Sequence, residues 1–354
     1  MGLKRAFMKN ICLVRLSAIG DVCNVTAVAR SIKENHPNAK ITWIIGKVES
    51  TLVKNIEDIE FIIFDKNKGI REYFNIYKKL KNRRYDVALL LHASVRANLI
   101  SLMLRAPIKI GYDRERARDL QWLITNRKIS RTSGKHVLEA MFDFLRLIDI
   151  KDNEPSWDLP LSSENSSYIE PLLSKKKINV VLSPFSSQRL HNFRNWNNGN
   201  YAKIIDYLIE KYNCKVFITG DNSDLVKKSG DELASLCKHK VVNLIGKTSL
   251  EDLVILIKNT NLVISPDSAA VHISVALDTP VIGLYASSNP KRTGPYNYEG
   301  LTVNAYPKAC IKYFGKTEDN VTWGKRIRNP VVMSLITTDE VKEKIDFFFL
   351  ENSF

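Results

Sequence analysis

Along 354 residues, short unbroken apolar runs alternate with stretches whose apolar positions recur at helical spacing, and the whole alternation occurs twice. An apolar run without polar interruption suits a strand covered on both faces, which is the environment of a parallel sheet between helices. Strands are expected over 11–16, 41–45, 61–64, 87–91 and 109–111, with helices over 22–35, 73–83, 97–104 and 137–148. From 151 to 177 the texture turns to Pro, Ser, Glu and Lys without a period, and reads as a connection. The second alternation places strands at 179–182, 215–219, 241–244, 262–264 and 281–284. Its helices fall at 201–212, 225–237, 250–258 and 269–277, and a last amphipathic helix is expected over 338–349. The expectation is α/β: a doubly wound first domain over 1–172, a second over 173–330, and a terminal helical segment, 331–354, packing back on the first domain.

Doubly wound sheets bind ligands beyond the carboxyl ends of their strands, and the polar motifs fall there. The first is Arg15-Leu16-Ser17-Ala18-Ile19-Gly20-Asp21-Val22, between a strand and a helix. It lacks the three glycines of a dinucleotide fingerprint, which counts against an NAD(P)-dependent oxidoreductase. Asp21 reads either as a helix N-cap or as a general base for an acceptor hydroxyl. The second motif is Ser183-Pro184-Phe185-Ser186-Ser187 followed by Arg194-Asn195-Trp196, hydroxyls and a cation that suit a phosphate as well as an ordinary turn. The third runs from Ser265-Pro266-Asp267-Ser268-Ala269-Ala270-Val271-His272 to Asp278-Thr279-Pro280. A helix starting just after a strand exposes free N–H groups and the positive end of its dipole, a site for a diphosphate. His272, about one turn on, either points toward that site or is a core histidine.

The formal net charge of +15 points to an anionic partner. Eight cations (Lys66, Lys68, Arg71, Lys78, Lys79, Lys81, Arg83, Arg84) stand against Glu72 alone over 66–84, and 105–135 is a second basic zone. No nucleic-acid module or interleaved set of stacking aromatics accompanies them, so nucleic acid is not the expected partner. Five cysteines without a CxxC pair suit reduced thiols rather than a zinc site. Arg15 interrupts the first apolar run and no cleavage site follows, so neither a signal peptide nor a membrane span is expected and the chain reads as cytoplasmic.

In these blocks the chain resembles the ADP-heptose:lipopolysaccharide heptosyltransferases of glycosyltransferase family 9, over most of its length. The resemblance rests on Gly20-Asp21-Val22, Arg194-Asn195-Trp196, Asp267 to His272 with Asp278-Thr279-Pro280, and the stretch Leu244-Ile245-Gly246-Lys247-Thr248-Ser249-Leu250. It implies a GT-B fold, two Rossmann-like domains facing a central cleft, with an inverting mechanism and no metal or other cofactor. Asp21 would be the catalytic base. Ser186, Ser187, Arg194, Asp267, Ser268, Ala269 and His272 would hold the donor diphosphate, Thr248 the adenine and Asp224 the ribose. Arg96, Arg118 and His136 match basic positions on the acceptor side. The implied donor is ADP-heptose. The implied acceptor is Kdo–lipid A, met by peripheral contact with the anionic cytosolic face of the inner membrane; the alternative within the family is transfer of a later heptose or use of another nucleotide sugar. Ala269 stands where the family usually has glycine, and Arg194 where it usually has lysine.

Overall fold

The computed structural model describes residues 8–131, 133–150, 154–160, 166–186 and 192–352. The chain divides into two compact units, Met1–Pro160 and Leu161–Phe354.

The first unit is built on β1 (Asn10–Val14), β2 (Lys40–Gly46), β3 (Ile59–Phe64), β4 (Val87–Leu89), β5 (Ile108–Gly111) and β6 (Arg127–Lys128), with α1 (Ile19–Asn35), α2 (Lys47–Val53), α3 (Ile70–Leu80), α4 (Val95–Leu102) and α5 (Val137–Arg146). Every strand pairing is parallel and the order is β3-β2-β1-β4-β5-β6. Ile11, Leu13, Val14 and Ile44 are fully buried, as strands covered on both faces require. The carboxyl ends of β1 and β2 draw close, Gly46 N–H donating to the Leu16 carbonyl at 3.0 Å. A Cβ at Gly46 would lie 2.3 Å from that oxygen, so only glycine allows the approach. Trp157 donates from Nε1 to the Cys23 carbonyl (3.1 Å) and its own carbonyl accepts from Arg30, which ties the end of this unit across α1.

The second unit repeats the plan. It comprises α6 (Ser166–Ile169), β7 (Asn179–Leu182), α7 (Asn198–Tyr212), β8 (Lys215–Ile218), α8 (Asp224–Leu236), β9 (Val242–Asn243), α9 (Leu250–Lys258), β10 (Leu262–Pro266), α10 (Ala269–Ala276), β11 (Val281–Tyr285), α11 (Pro290–Thr293), β12 (Val303–Asn304), α12 (Tyr306–Phe314) and α13 (Thr338–Asn352). The parallel order β12-β11-β10-β7-β8-β9 is the order of the first sheet counted from its own first strand. In each sheet the order reverses beside the first strand, between β1 and β4 and between β7 and β10. Such switch points open a crevice at the carboxyl edge.

Two expectations change. The helix after β1 begins at Ile19, so Asp21 is not its N-cap but a first-turn residue whose Oδ2 accepts from the Ala18 N–H at 3.4 Å. The terminal helix α13 supplies Val341, Ile345, Phe348 and Phe349 to the core of the second unit, and α6 and the turn after it also lie beyond the division at Pro160. Tyr207 and Tyr212 both donate to Asp346 Oδ1 at 2.6 Å, Lys211 pairs with it at 3.0 Å, and Tyr212 stacks on Phe349 at 3.7 Å, fixing α13 on α7. The five cysteines are free thiols. Burial raises that of Cys237 to about 11 and holds the others above their usual range.

Candidate active site

At the switch point of the first sheet, Arg15 leaves the end of β1 almost wholly buried. Its Nη1 donates to the Leu91 carbonyl at 2.5 Å and its Nη2 forms an ion pair with Asp21 Oδ2. The Asp21 side chain keeps 32% of its exposure, so the carboxylate is anchored on one side and open on the other. His92 follows β4 and accepts the Leu16 N–H at Nδ1 (3.2 Å). Burial first, then the Arg15 cation, push its pKa down to about 4, against an opposing pull from Asp21 that outranks the small lowering by Arg96. His92 is therefore neutral at pH 7, and with Nδ1 accepting, its proton sits on Nε2. The ring is a hydrogen-bond donor at that nitrogen, which leaves Asp21 as the proton acceptor of this cluster.

Arg96 lies in the first turn of α4 and Arg118 in the loop beside it; both are exposed. The two are neighbours because Asp119 accepts the Val95 N–H at 3.0 Å while Asn98 donates to the Asp119 carbonyl at 2.6 Å. His136 occupies a different position. It is buried as the N-cap of α5, with Nδ1 accepting from Leu138 and its own N–H donating to Glu139.

At the switch point of the second sheet, Asp267 directly follows β10 as a buried carboxylate. Its Oδ2 accepts the Ser288 hydroxyl (2.8 Å) and faces Arg194 Nη1 at 3.2 Å and Arg326 Nη2 at 3.8 Å. Burial alone would raise its pKa. Arg194, Arg326, His272 and the Ser288 hydroxyl outweigh that and hold it below the usual carboxylate range. A chain of side chains continues from there. Arg194 Nε donates to Asn192 Oδ1 (2.6 Å), Asn192 Nδ2 donates to Ser186 Oγ (2.8 Å), and Ser186 Oγ donates to Asn195 Oδ1 (2.7 Å). Ser268 caps α10, its hydroxyl accepting from Ala270 N–H at 3.2 Å and meeting Ser265 Oγ at 2.8 Å. Two guanidinium groups thus share one carboxylate beside a helix N-terminus. The surplus of positive charge can hold a phosphate or diphosphate and stabilise it as a leaving group.

Six of the expected donor residues (Ser186, Arg194, Asp267, Ser268, Ala269, His272) gather on these two strand ends. Ser187 lies outside the described residues. Asp224, exposed in the first turn of α8, and Thr248, half-buried after β9, stand farther along the same edge, where Gly246 N–H donates to the Gly220 carbonyl at 3.3 Å. Sequence reasoning passed over Ser288, Arg326 and His92. Ser287-Ser288-Asn289 directly follows an apolar run, as Ser186 nearly does, and that signal was readable. Arg326 lies in an irregular stretch with no period to place it.

A family model described as glycosyltransferase family 9 (heptosyltransferase) matches residues 73–323. The chain is 34% identical to the lipopolysaccharide core heptosyltransferase OpsX of Haemophilus influenzae, over 94% of this chain and 95% of that one. A glycosyl transferase family 9 structure from Veillonella parvula superposes with a TM-score of 0.77 at 20% identity, covering 97% of this chain and 98% of the other. The Escherichia coli ADP-heptose lipopolysaccharide heptosyltransferase II does so with a TM-score of 0.72 at 20% identity, covering 98% and 100%. These likenesses identify the two Rossmann-like units as a GT-B fold.

Proposed function

The chain belongs to glycosyltransferase family 9, the heptosyltransferases, and on that premise we propose that it moves heptose from ADP-L-glycero-D-manno-heptose to the Kdo of the lipopolysaccharide inner core. The Haemophilus relative, a lipopolysaccharide core heptosyltransferase, supports the acceptor class, and the Escherichia coli neighbour, which uses ADP-heptose, supports the donor. The transfer inverts the anomeric centre. The acceptor hydroxyl attacks the anomeric carbon, its proton passes to Asp21, and the bond to the diphosphate breaks to release ADP.

The observation that carries this reading is the pair of guanidiniums on Asp267. Arg194 and Arg326, with the N–H groups at the start of α10, supply the positive charge that a departing diphosphate needs, and no metal ion is required of the reaction. In this assignment the second unit binds the nucleotide sugar: Ser186, Ser187, Ser268, Ala269 and His272 at the diphosphate, Thr248 at the adenine and Asp224 at the ribose. The first unit binds the acceptor through Arg96 and Arg118, His136 instead capping α5. The enzyme works as a peripheral protein at the cytosolic face of the inner membrane. No helix among the described residues is long and apolar enough to cross a membrane.

Single-turnover transfer from ADP-heptose to Kdo–lipid A in EDTA, for wild type and Asp21→Ala, tests the reading. Product from the wild type and a loss of at least about a hundredfold in the variant are expected. Donor binding without product would reject the acceptor, and failure to bind ADP-heptose would reject the donor.

A further inference from the structure

Among the described residues, 18 large hydrophobic side chains are exposed, and nine of them fall between Ile70 and Leu123 of the first unit. Their placement is ordered. On α3, Ile76 and Leu80 are buried, whereas Ile70, Phe74 and Tyr77 repeat at i, i+4 and i+7 on the opposite face, with exposures of 73%, 62% and 49%. Helix α4, which packs against α3, exposes Val95, Leu99 and Leu102 at the same spacing. The turn bonded to α4 through Asp119 exposes Leu120, Trp122 and Leu123. Asp119 and Leu120 both have positive φ (54° and 63°), a backbone that costs a leucine free energy and yet is held here with that side chain in solvent.

Cations border these apolar side chains. Arg71, Lys78 and Lys79 are exposed on α3 and Lys81 at its C-cap, and the Arg114 guanidinium lies 5.2 Å from the centre of the Trp122 ring. The acid of α3, Glu72, is turned inward, accepting from the Asp65 N–H and from Asn75, so it does little to offset the outer charge.

We propose that the outward faces of α3 and α4, with the turn at Leu120–Leu123, form a docking surface for an anionic lipid bilayer. Apolar side chains enter the boundary between headgroups and acyl chains while the flanking lysines and arginines meet lipid phosphates. Tyr77 and Trp122 carry the amphipathic rings favoured at that depth. A second copy of this face is disfavoured by the repulsion of its own cations. A nucleic acid would find isoleucine, valine and leucine where it needs stacking rings. The inference names the surface for the membrane contact proposed above. It stands on exposure and charge, and does not depend on which sugar is transferred.

The test is co-sedimentation of the full chain with vesicles of phosphatidylglycerol and phosphatidylethanolamine, against vesicles of phosphatidylcholine alone. The variants are Phe74→Ser/Leu99→Ser/Leu123→Ser and, separately, Lys78→Glu/Lys81→Glu. Wild type is expected to bind the anionic vesicles, and each variant to lose at least about tenfold in bound fraction while keeping its melting temperature. Transfer to a deacylated, water-soluble acceptor is expected to stay within about twofold of wild type in both variants, because none of the substituted residues is among those assigned to the donor or the acceptor. Three results would overturn the proposal: equal binding to neutral and anionic vesicles, variants that bind like wild type, or apolar substitutions that only turn a dimer into a monomer. Absence of transfer to every acceptor would sink the heptosyl reading and leave the vesicle result to decide the surface by itself.

Discussion

Arg194 Nη1 lies 3.2 Å from Asp267 Oδ2, and that oxygen also accepts the Ser288 hydroxyl and faces Arg326 at 3.8 Å. Each partner therefore depends on the others. Arg194→Ala leaves a buried carboxylate with the Ser288 hydroxyl, His272 and the more distant guanidinium. Loss of one partner of a buried pair costs about 3–5 kcal/mol, and with Arg326 still present we expect the lower end. Urea denaturation measures that cost. Calorimetry with ADP should show affinity at least about tenfold weaker, whereas Arg194→Lys, which keeps the charge but cannot span Asn192 and Asp267 with one planar fork, should fall between the two.

Arg15 acts through Asp21. It reaches the Leu91 carbonyl and the carboxylate together, so it orients the base. In Arg15→Met, kcat should fall by about tenfold or more while donor affinity is unchanged. A loss of donor affinity in step with kcat would mean that Arg15 serves only to pack the end of β1.

The fold was legible wherever both faces of a strand are covered. Val180-Val181-Leu182 and the run from Val281 to Tyr285 are buried throughout and read as apolar without a break. The start of α1 was misread because Gly20 looks like a turn residue, yet here it is buried in the first helical turn. Helix α12 and the irregular stretch after it carry no clear period, since Tyr306, Ile327 and Val332 reach one core from separate pieces of backbone. The site follows the same division. Asp267 and Arg194 stand in local motifs. Arg326 and Ser288 join them only through the tertiary fold, and His92 gains its meaning from strand order, which no local pattern encodes. The eight cations of 66–84 were visible, but not that Ile70, Phe74 and Tyr77 share their exposed face.

His92 sets a pH dependence of stability. Its folded pKa, about 4, lies below the ordinary 6.5, so between those values the unfolded chain binds the proton and the folded chain does not. Stability rises with pH across that window. It is fully present above about pH 6.5 and is lost as pH falls toward 4, by at most about 3 kcal/mol. His92→Gln, which keeps an acceptor for the Leu16 N–H, should flatten the curve of unfolding free energy between those pH values. An unchanged slope would reject His92 as its source. Asp267, held low by its cations, contributes at the acid end, where its stabilisation is lost as pH falls through its folded pKa.

Phe347 and Phe348 are adjacent on α13 and should behave oppositely. Phe348 is 1% exposed within the core of the second unit, and Phe347 is 47% exposed. Phe348→Ala removes a ring from a close-packed site and should cost about 3–5 kcal/mol. Phe347→Ala leaves most of its surroundings as solvent and should fall within about 0.5 kcal/mol of wild type. Asp346→Ala belongs with the first, since Tyr207, Tyr212 and Lys211 all converge on that carboxylate at the seam between α7 and α13. If the helix is integral to the second unit, urea melts of Phe348→Ala and Asp346→Ala will move the transition that ADP stabilises, and leave any separate transition of the first unit in place. If α13 were an appendage, both would unfold with an unchanged midpoint for the nucleotide-linked transition.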